Sequence, residues 1–243
     1  MKYNLTQFQK DLAYFDLTLT DRQIEQFMMY YEMLIEKNKV MNLTSITEFD
    51  EVMKKHFVDS LSLIKAVDLN KTKSLIDIGT GAGFPGIPLK IAFPELKITL
   101  LDSLQKRVGF LQEVIDQLGL NQINAIHGRA EDFAKSGELE NTLREKYDLC
   151  VSRAVANLAV LSEYCIPYVK VGGKFISYKS EKTEEECKDA EHAVSLLGGK
   201  IADTVSFELP DSSIYRTFVV IDKVEKTLLQ YPRKAGAALK KPL

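Results

Sequence analysis

Three glycines at alternate positions, Gly79, Gly81 and Gly83, stand between an apolar run and the sequence Phe84-Pro85-Gly86. Glycine accepts positive φ and lets a ligand come close to the backbone. Leu75, Ile76 and Ile78 predict a buried strand at 74–78, and Pro85 suits the first turn of a helix. Strand, glycine loop and helix in that order make a nucleotide-type cofactor site in doubly wound α/β folds. Two common variants do not fit. Phe84 stands where the dinucleotide fingerprint has its last Gly or Ala, and no Lys-Ser/Thr closes a phosphate loop. Asp77 lies two residues before the first glycine. Asp102 ends the next strand, about twenty residues past the loop, where a carboxylate accepts hydrogen bonds from ribose hydroxyls. Loop and acid together point to an adenosyl cofactor.

Other residues fall where such a site would use them. Gly128-Arg-Ala130-Glu131-Asp132 follows the third strand. There a carboxylate can accept from an adenine amine or cap the next helix. Arg153 ends the fourth strand and Lys179 the fifth, at the edge of the sheet where open α/β folds bind ligands. An Arg there suits a cofactor carboxylate, an RNA phosphate or a surface ion pair. His56, Asp59 and Ser60 share a helical face and read as a hydrogen-bonded local group. One His with one Asp is not a metal site. Asn38-Lys-Val-Met-Asn42-Leu-Thr-Ser45 is a polar stretch open to a loop role or a binding role.

The elements that must position these residues follow from periodicity. Residues 1–70 read as a helical extension. Leu5, Phe8 and Leu12 mark a short helix. Thr20 and Gln23 form a capping box for a longer one that runs to Glu36, and Thr47 caps a third. Residues 71–225 alternate strand and helix, with strands at 74–78, 97–102, 123–127, 147–152 and 173–179. Residues 133–146 read as a polar helical connection, and 181–197 as a charged helix whose Glu184-Glu-Glu186 is a solvated face. No room for a helix separates the last two strands, near 201–209 and 215–223, so they pair antiparallel. The fold class is therefore a Rossmann-like α/β domain. Its seven-stranded, mostly parallel sheet has one antiparallel edge strand. Residues 226–243 form a tail with Arg233, Lys234, Lys240 and Lys241 and no acids, which reads as a phosphate contact or a frayed solubilising end.

Composition bounds the function. The net charge is −2, so any nucleic acid would be met by a local patch rather than a global field. Cys150, Cys165 and Cys187 are far apart, which argues against a zinc site or disulfide framework and suits a reducing cytoplasm. No apolar run is long enough for a membrane span.

Taken in order, these motifs resemble the bacterial small-subunit rRNA guanine-N7 methyltransferase family, historically called glucose-inhibited division protein B. The carriers are Asn38-Lys39 with Asn42-Leu43-Thr44, His56 with Asp59-Ser60, and Asp77 to Gly86. Gly128 to Glu131, Ser152-Arg-Ala154, Tyr178-Lys179 and Tyr231-Pro-Arg-Lys234 complete them. The chain departs from the family pattern at Gly236-Ala237-Ala238, where a Pro commonly follows the Gly, and at Lys54-Lys55, where an Arg is common. The resemblance implies S-adenosylmethionine (SAM) as cofactor, held by Gly79, Phe84, Ala130, Glu131 and Arg153. It implies as substrate a guanine of 16S rRNA near the decoding centre, met free, in the small ribosomal subunit or in an assembly intermediate. Arg153, Lys179, Asn42 and His56 are then the candidates for handling the substrate.

Guanine N7 carries an in-plane lone pair, so its methylation needs alignment more than a base. The fourth strand lacks an Asn/Asp-Pro-Pro-Tyr ending, which amine methylation would favour, and Cys150 lies within the strand as a core thiol. The competing readings are a SAM-dependent methyltransferase of a small molecule or protein, and a SAM- or RNA-binding module without catalysis.

Overall fold

The computed structural model describes residues 3–135, 142–153, 156–180 and 183–243. Alternation along its strands gives the sheet two buried faces. In β1 (Ser74–Ile78), Leu75 packs on one side while Ile76 and Ile78 pack on the other. In β4 (Tyr147–Ser152), Leu149 and Val151 join Leu75, and Cys150 joins Ile76. Strands apolar on both faces belong inside a parallel sheet covered by helices on either side.

The sheet has seven strands in the order β3-β2-β1-β4-β5-β7-β6. The others are β2 (Lys97–Asp102), β3 (Ile123–His127), β5 (Val169–Lys179), β6 (Gly199–Glu208) and β7 (Tyr215–Lys223). β1 to β5 run parallel, and β7 pairs antiparallel with both β5 and β6. The antiparallel strand thus sits at the expected end of the sheet, with β6 outside it. The chain works outward from β1 to β3, then returns to lay β4 on the other side of β1. That reversal opens a crevice beyond the ends of β1 and β4, the switch point where such sheets bind ligands.

One face is covered by α1 (Thr6–Ala13), α2 (Asp21–Met41), α5 (Gly86–Ala92) and α6 (Gln105–Gln117). It also carries a composite segment: α3 (Phe49–Val52), a π-helical stretch (Met53–Val58), α4 (Asp59–Leu61) and a 3-10 turn (Ser62–Lys65). The other face is covered by α8 (Leu158–Cys165) and α9 (Glu184–Leu196). The N-terminal helices share one core with the sheet. Phe27, Tyr30 and Phe57 have no exposed surface and pack with Leu75, Phe84 and Ile87.

Several local expectations are met. Thr20 and Gln23 make the reciprocal capping box of α2. All three cysteines are buried and free. Others need correction. α2 continues past Glu36 to Met41 and stops only where Asn42 takes a left-handed conformation, φ 49°. Thr47 does not cap the next helix. The cap position is Glu48, without a side-chain bond, and the Thr47 carbonyl instead accepts from Tyr31 Oη. Of the polar connection at 133–146, residues 136–141 lie outside the described residues, as do Ala154 and the first residue of the charged helix, Glu181. Short α7 (Ala130–Phe133) follows β3, and α10 (Ala237–Lys240) lies in the tail. Among the described residues, no helix is long and apolar enough to cross a membrane.

Candidate active site

The glycine loop is held by two carboxylates that approach it from behind. Asp77 Oδ2 accepts from Thr80 Oγ1 at 2.7 Å and from the Gly86 N–H at 2.9 Å. Asp102 Oδ2 accepts from the Gly81 N–H at 2.9 Å, and its Oδ1 from the Leu104 N–H at 2.9 Å. Tyr30 Oη donates to the Ala82 carbonyl at 2.5 Å, which ties the loop to α2. Ser152 Oγ donates to the Ile78 carbonyl at 2.8 Å and holds the ends of β4 and β1 together. Asp77 is fully buried, and burial lifts its carboxyl to about 6. Its Oδ1 finds no partner, so the group is a costly brace for the loop.

In front of the loop lies a cavity of ≈ 330 Å³. Gly79, Asp102, Gly128, Glu131 and Ser152 bring polar groups to it, and Ile78, Leu101, Ala130, Leu161 and Leu239 bring apolar walls. Gly79 has φ +71°, and nothing lies within 4 Å of where a Cβ would stand. Its backbone is therefore open to a ligand. Asp102 Oδ1 keeps a second lone pair beyond its backbone bond and can accept from a hydroxyl, while Oδ2 also lies 3.5 Å from Arg107 Nη1. Apolar walls for a base, a carboxylate for sugar hydroxyls and a bare glycine backbone for a charged tail fit an adenosyl amino acid.

A second cavity, ≈ 340 Å³, adjoins it. His56, Asp59, Arg153, Tyr178, Lys179 and Arg216 line it. Asp59, 2% exposed, binds two guanidinium groups. Arg153 Nη1 donates to its Oδ2 at 2.8 Å and Arg216 Nε to its Oδ1 at 2.5 Å. Two cations against one anion leave this cavity net positive. Arg153 also lies over the Phe84 ring at 5.0 Å, and the His56 ring stacks on Phe84 at 4.5 Å. The consecutive residues Ser152 and Arg153 serve different cavities, so the end of β4 is the wall between them.

The tautomer of His56 follows from its partners. Arg153 Nη2 lies 3.3 Å from Nδ1 and can only donate, so Nδ1 accepts. The ring proton is then on Nε2, which donates to Thr44 Oγ1 at 2.8 Å. Burial, then the Arg153 charge, push the His56 pKa down to about 3. The ring is neutral at physiological pH, and its basic lone pair is occupied.

Of the residues expected from sequence, Gly79, Asp102, Ala130 and Glu131 line the first cavity. Asp77 and Gly81 instead hold the loop from within. Gly83 faces the core, where an added Cβ would stand 2.9 Å from Tyr30 Oη. Arg153 lines the second cavity, and Phe84 lies buried beneath Arg153 and His56 rather than in either lining. His56 and Asp59 share the face that lines the second cavity, and Ser60 Oγ donates to the His56 carbonyl at 2.6 Å, but the two side chains do not pair, because the Asp59 oxygens are taken by Arg153 and Arg216. Asn42 is exposed and ends α2, while Asn38 makes the loop-closing bonds, to the N–H and the carbonyl of Thr44. Lys179 Nζ donates to Glu186 Oε1 at 2.6 Å and to the Ala156 carbonyl at 3.1 Å. Glu186, read as part of a solvated face, is therefore a fixed partner of the site that also accepts from the Leu158 N–H. Arg233 of the basic tail is committed to Glu163.

Arg216 was not foreseen, although the antiparallel pairing of the last strands was its signal. Reversal of β7 brings its first residues to the edge where the parallel strands end, with Thr217 opposite Lys179.

Known proteins resemble this chain in sequence and in fold. The family described as rRNA small subunit methyltransferase G matches residues 23–215. The ribosomal RNA small subunit methyltransferase G of Lachnoclostridium phytofermentans is 53% identical over 243 residues, covering 100% of this chain and 98% of that protein. The protein of the same name from Alkaliphilus metalliredigens is 51% identical over 225 residues, 93% of this chain and 92% of that one. Among solved structures, M. jannaschii TYW2 in complex with AdoMet is similar in fold, with a TM-score of 0.50 and 17% identity over 64% of this chain and 70% of that one. With most of its length matched by the family and a relative more than half identical from end to end, the chain belongs to the rRNA small subunit methyltransferase G family.

Proposed function

We propose that the protein transfers a methyl group from SAM to N7 of a guanine in 16S rRNA. The observation that carries this reading is the pair of adjoining cavities at the switch point: one suited to an adenosyl amino acid, the other cationic and without a free base. When bound, the cofactor supplies a sulfonium methyl group. The chain's part is to hold the acceptor in line with it, an effect of proximity and orientation.

The second cavity suits N7 as acceptor. N7 has no proton to lose, and the groups around it have little capacity to take one. Asp59 is shared between two guanidinium groups, and the His56 lone pair accepts from Arg153. Arg153 and Arg216 offset the phosphate charge of the RNA. Lys179 adds a cation held in place by Glu186. The flat stack of His56 on Phe84 gives the cavity a wall of fixed orientation. Exposed Asn42 at the end of α2 would meet the RNA only at the rim.

The same reading puts the protein in the bacterial cytoplasm, with the small ribosomal subunit or an assembly intermediate as its partner. The direct test supplies labelled SAM with undermodified 16S rRNA, free and in particles, and maps N7-methylguanine by chemical strand cleavage. Label at one guanine is the expected result. Label on protein or small molecules alone, or none in RNA, overturns the proposal.

A further inference from the structure

We infer that residues 231–241 form a strap that makes one wall of the adenosyl site, and that Leu239 is a cofactor-binding residue. This deepens the proposed function and rests on reading the first cavity as the SAM site.

Three sets of bonds fasten the strap. Arg233 grips Glu163 of α8, with Nε at 3.0 Å from Oε1 and Nη2 at 2.6 Å from Oε2, and its N–H donates to Oε1 at 2.7 Å. Glu163 has no exposed surface while the Arg233 side chain is 26% exposed, so this is a half-buried ion pair anchored in the fold. Arg144 Nη1 donates to the Tyr231 carbonyl at 2.7 Å and Nη2 to the Thr227 carbonyl at 2.5 Å. The Gly236 N–H donates to Glu131 Oε1 at 2.8 Å. The last bond joins the strap to α7, just after β3, on the cavity wall itself.

Gly236 and Leu239 both line the cavity. Leu239 is nevertheless 64% exposed. A large apolar side chain fastened beside an open cavity has surface to lose when a ligand arrives. Apolar lining with a few fixed polar groups is the make-up of a small-molecule site. The Gly236 bond also sets the direction of the Glu131 carboxylate, so the strap acts on the ligand directly through Leu239 and indirectly through Glu131. A tail serving only to meet RNA would keep Arg233 open to phosphate, and this one does not.

The test is calorimetric titration of S-adenosylhomocysteine into the full chain and its variants. Leu239→Ala is expected to weaken binding about fivefold from lost apolar contact, and Leu239→Asp further. Val171→Ala, an exposed apolar truncation near the opposite end of β5, should stay within twofold of wild type. Tryptic cleavage of the wild-type chain after Lys234 and Lys240 should slow when the ligand saturates the protein. This reading does not depend on any variant folding. If wild type binds and both Leu239 variants match it within twofold, the strap inference is overturned. Unchanged cleavage with bound ligand also overturns it. If wild type itself does not bind, the cofactor reading of the cavity falls, and the inference falls with it.

Discussion

Asp59 gives both carboxylate oxygens to guanidinium groups and so decides where two cations point. Removing its charge leaves Arg153 and Arg216 repelling each other in a half-buried space. Breaking such a pair costs about 3–5 kcal/mol where burial is complete, and less where the partners reach solvent. Asp59→Asn is expected to reduce methyl transfer at least tenfold while leaving S-adenosylhomocysteine affinity within twofold, because Asp59 lines only the second cavity. Equal losses in both assays would show that the two cavities are not separate in function. His56 gives a pH prediction. The fold holds it near 3, whereas the unfolded chain protonates near its usual 6.5. Between those values the unfolded state binds the extra proton, so His56-linked stability falls as pH drops, by up to about 1.4 kcal/mol per pH unit. Asp77 acts in the opposite sense. Its carboxyl titrates at about 6 in the fold against 3.8 unfolded, so the fold takes its proton first and gains stability as pH falls. The two offset each other between about pH 6 and 4. The destabilisation caused by His56→Gln, measured by urea unfolding, should therefore shrink from pH 7 toward pH 4. A constant difference would place the folded His56 at its ordinary pKa.

At the scale of elements, the glycine loop contains residues with different reasons to be glycine. Gly79 has open space at its Cβ position but φ +71°. Gly86 has no positive φ, but its Cβ would stand 2.2 Å from Leu100 Cδ2 and 3.0 Å from Asp77 Oδ2. Gly79→Ala should cost about 1–2 kcal/mol of backbone strain and also weaken cofactor binding, since the methyl group faces the cavity. Gly86→Ala should cost about 1–3 kcal/mol by overpacking, with its main effect on stability. Chemical denaturation read alongside calorimetric binding separates the two. Sequence spacing located this loop, both of its acids and all seven strands, because the period of a buried strand and the need for glycine are local properties. It misplaced Thr47 as a cap and missed the π-helical stretch at Met53–Val58. Those features depend on what the segment packs against, here the ring cluster of Phe27, Tyr30, Phe57 and Phe84.

At the scale of the whole molecule, topology gathers the second cavity from distant parts of the chain. His56 and Asp59 come from the N-terminal helices, Arg153 from the end of β4, Lys179 from the end of β5 and Arg216 from the start of β7. With a net charge of −2 the protein has no overall attraction for RNA, so under the proposed function this local excess of cations carries the approach. Arg216→Ala should therefore lower methylation of 16S rRNA by an order of magnitude or more, with S-adenosylhomocysteine binding unchanged. Full methylation by that variant would mean that the reversed strand contributes only structure.

The sequence by itself determined the strand–glycine-loop–helix unit, the carboxylate at the end of β2 and the doubly wound class, since each is written in neighbouring residues or in short periods. It also carried the family, through the order of its motifs. Only the tertiary structure decided which of those residues line the first cavity and which hold the loop from behind. It paired Asp59 with two arginines 94 and 157 residues away, and it fastened the basic tail beside the first cavity through the Gly236–Glu131 bond. Spacing along the chain fixes local conformation. The partner of a charged side chain is fixed by where the sheet order and the crossovers bring distant segments together.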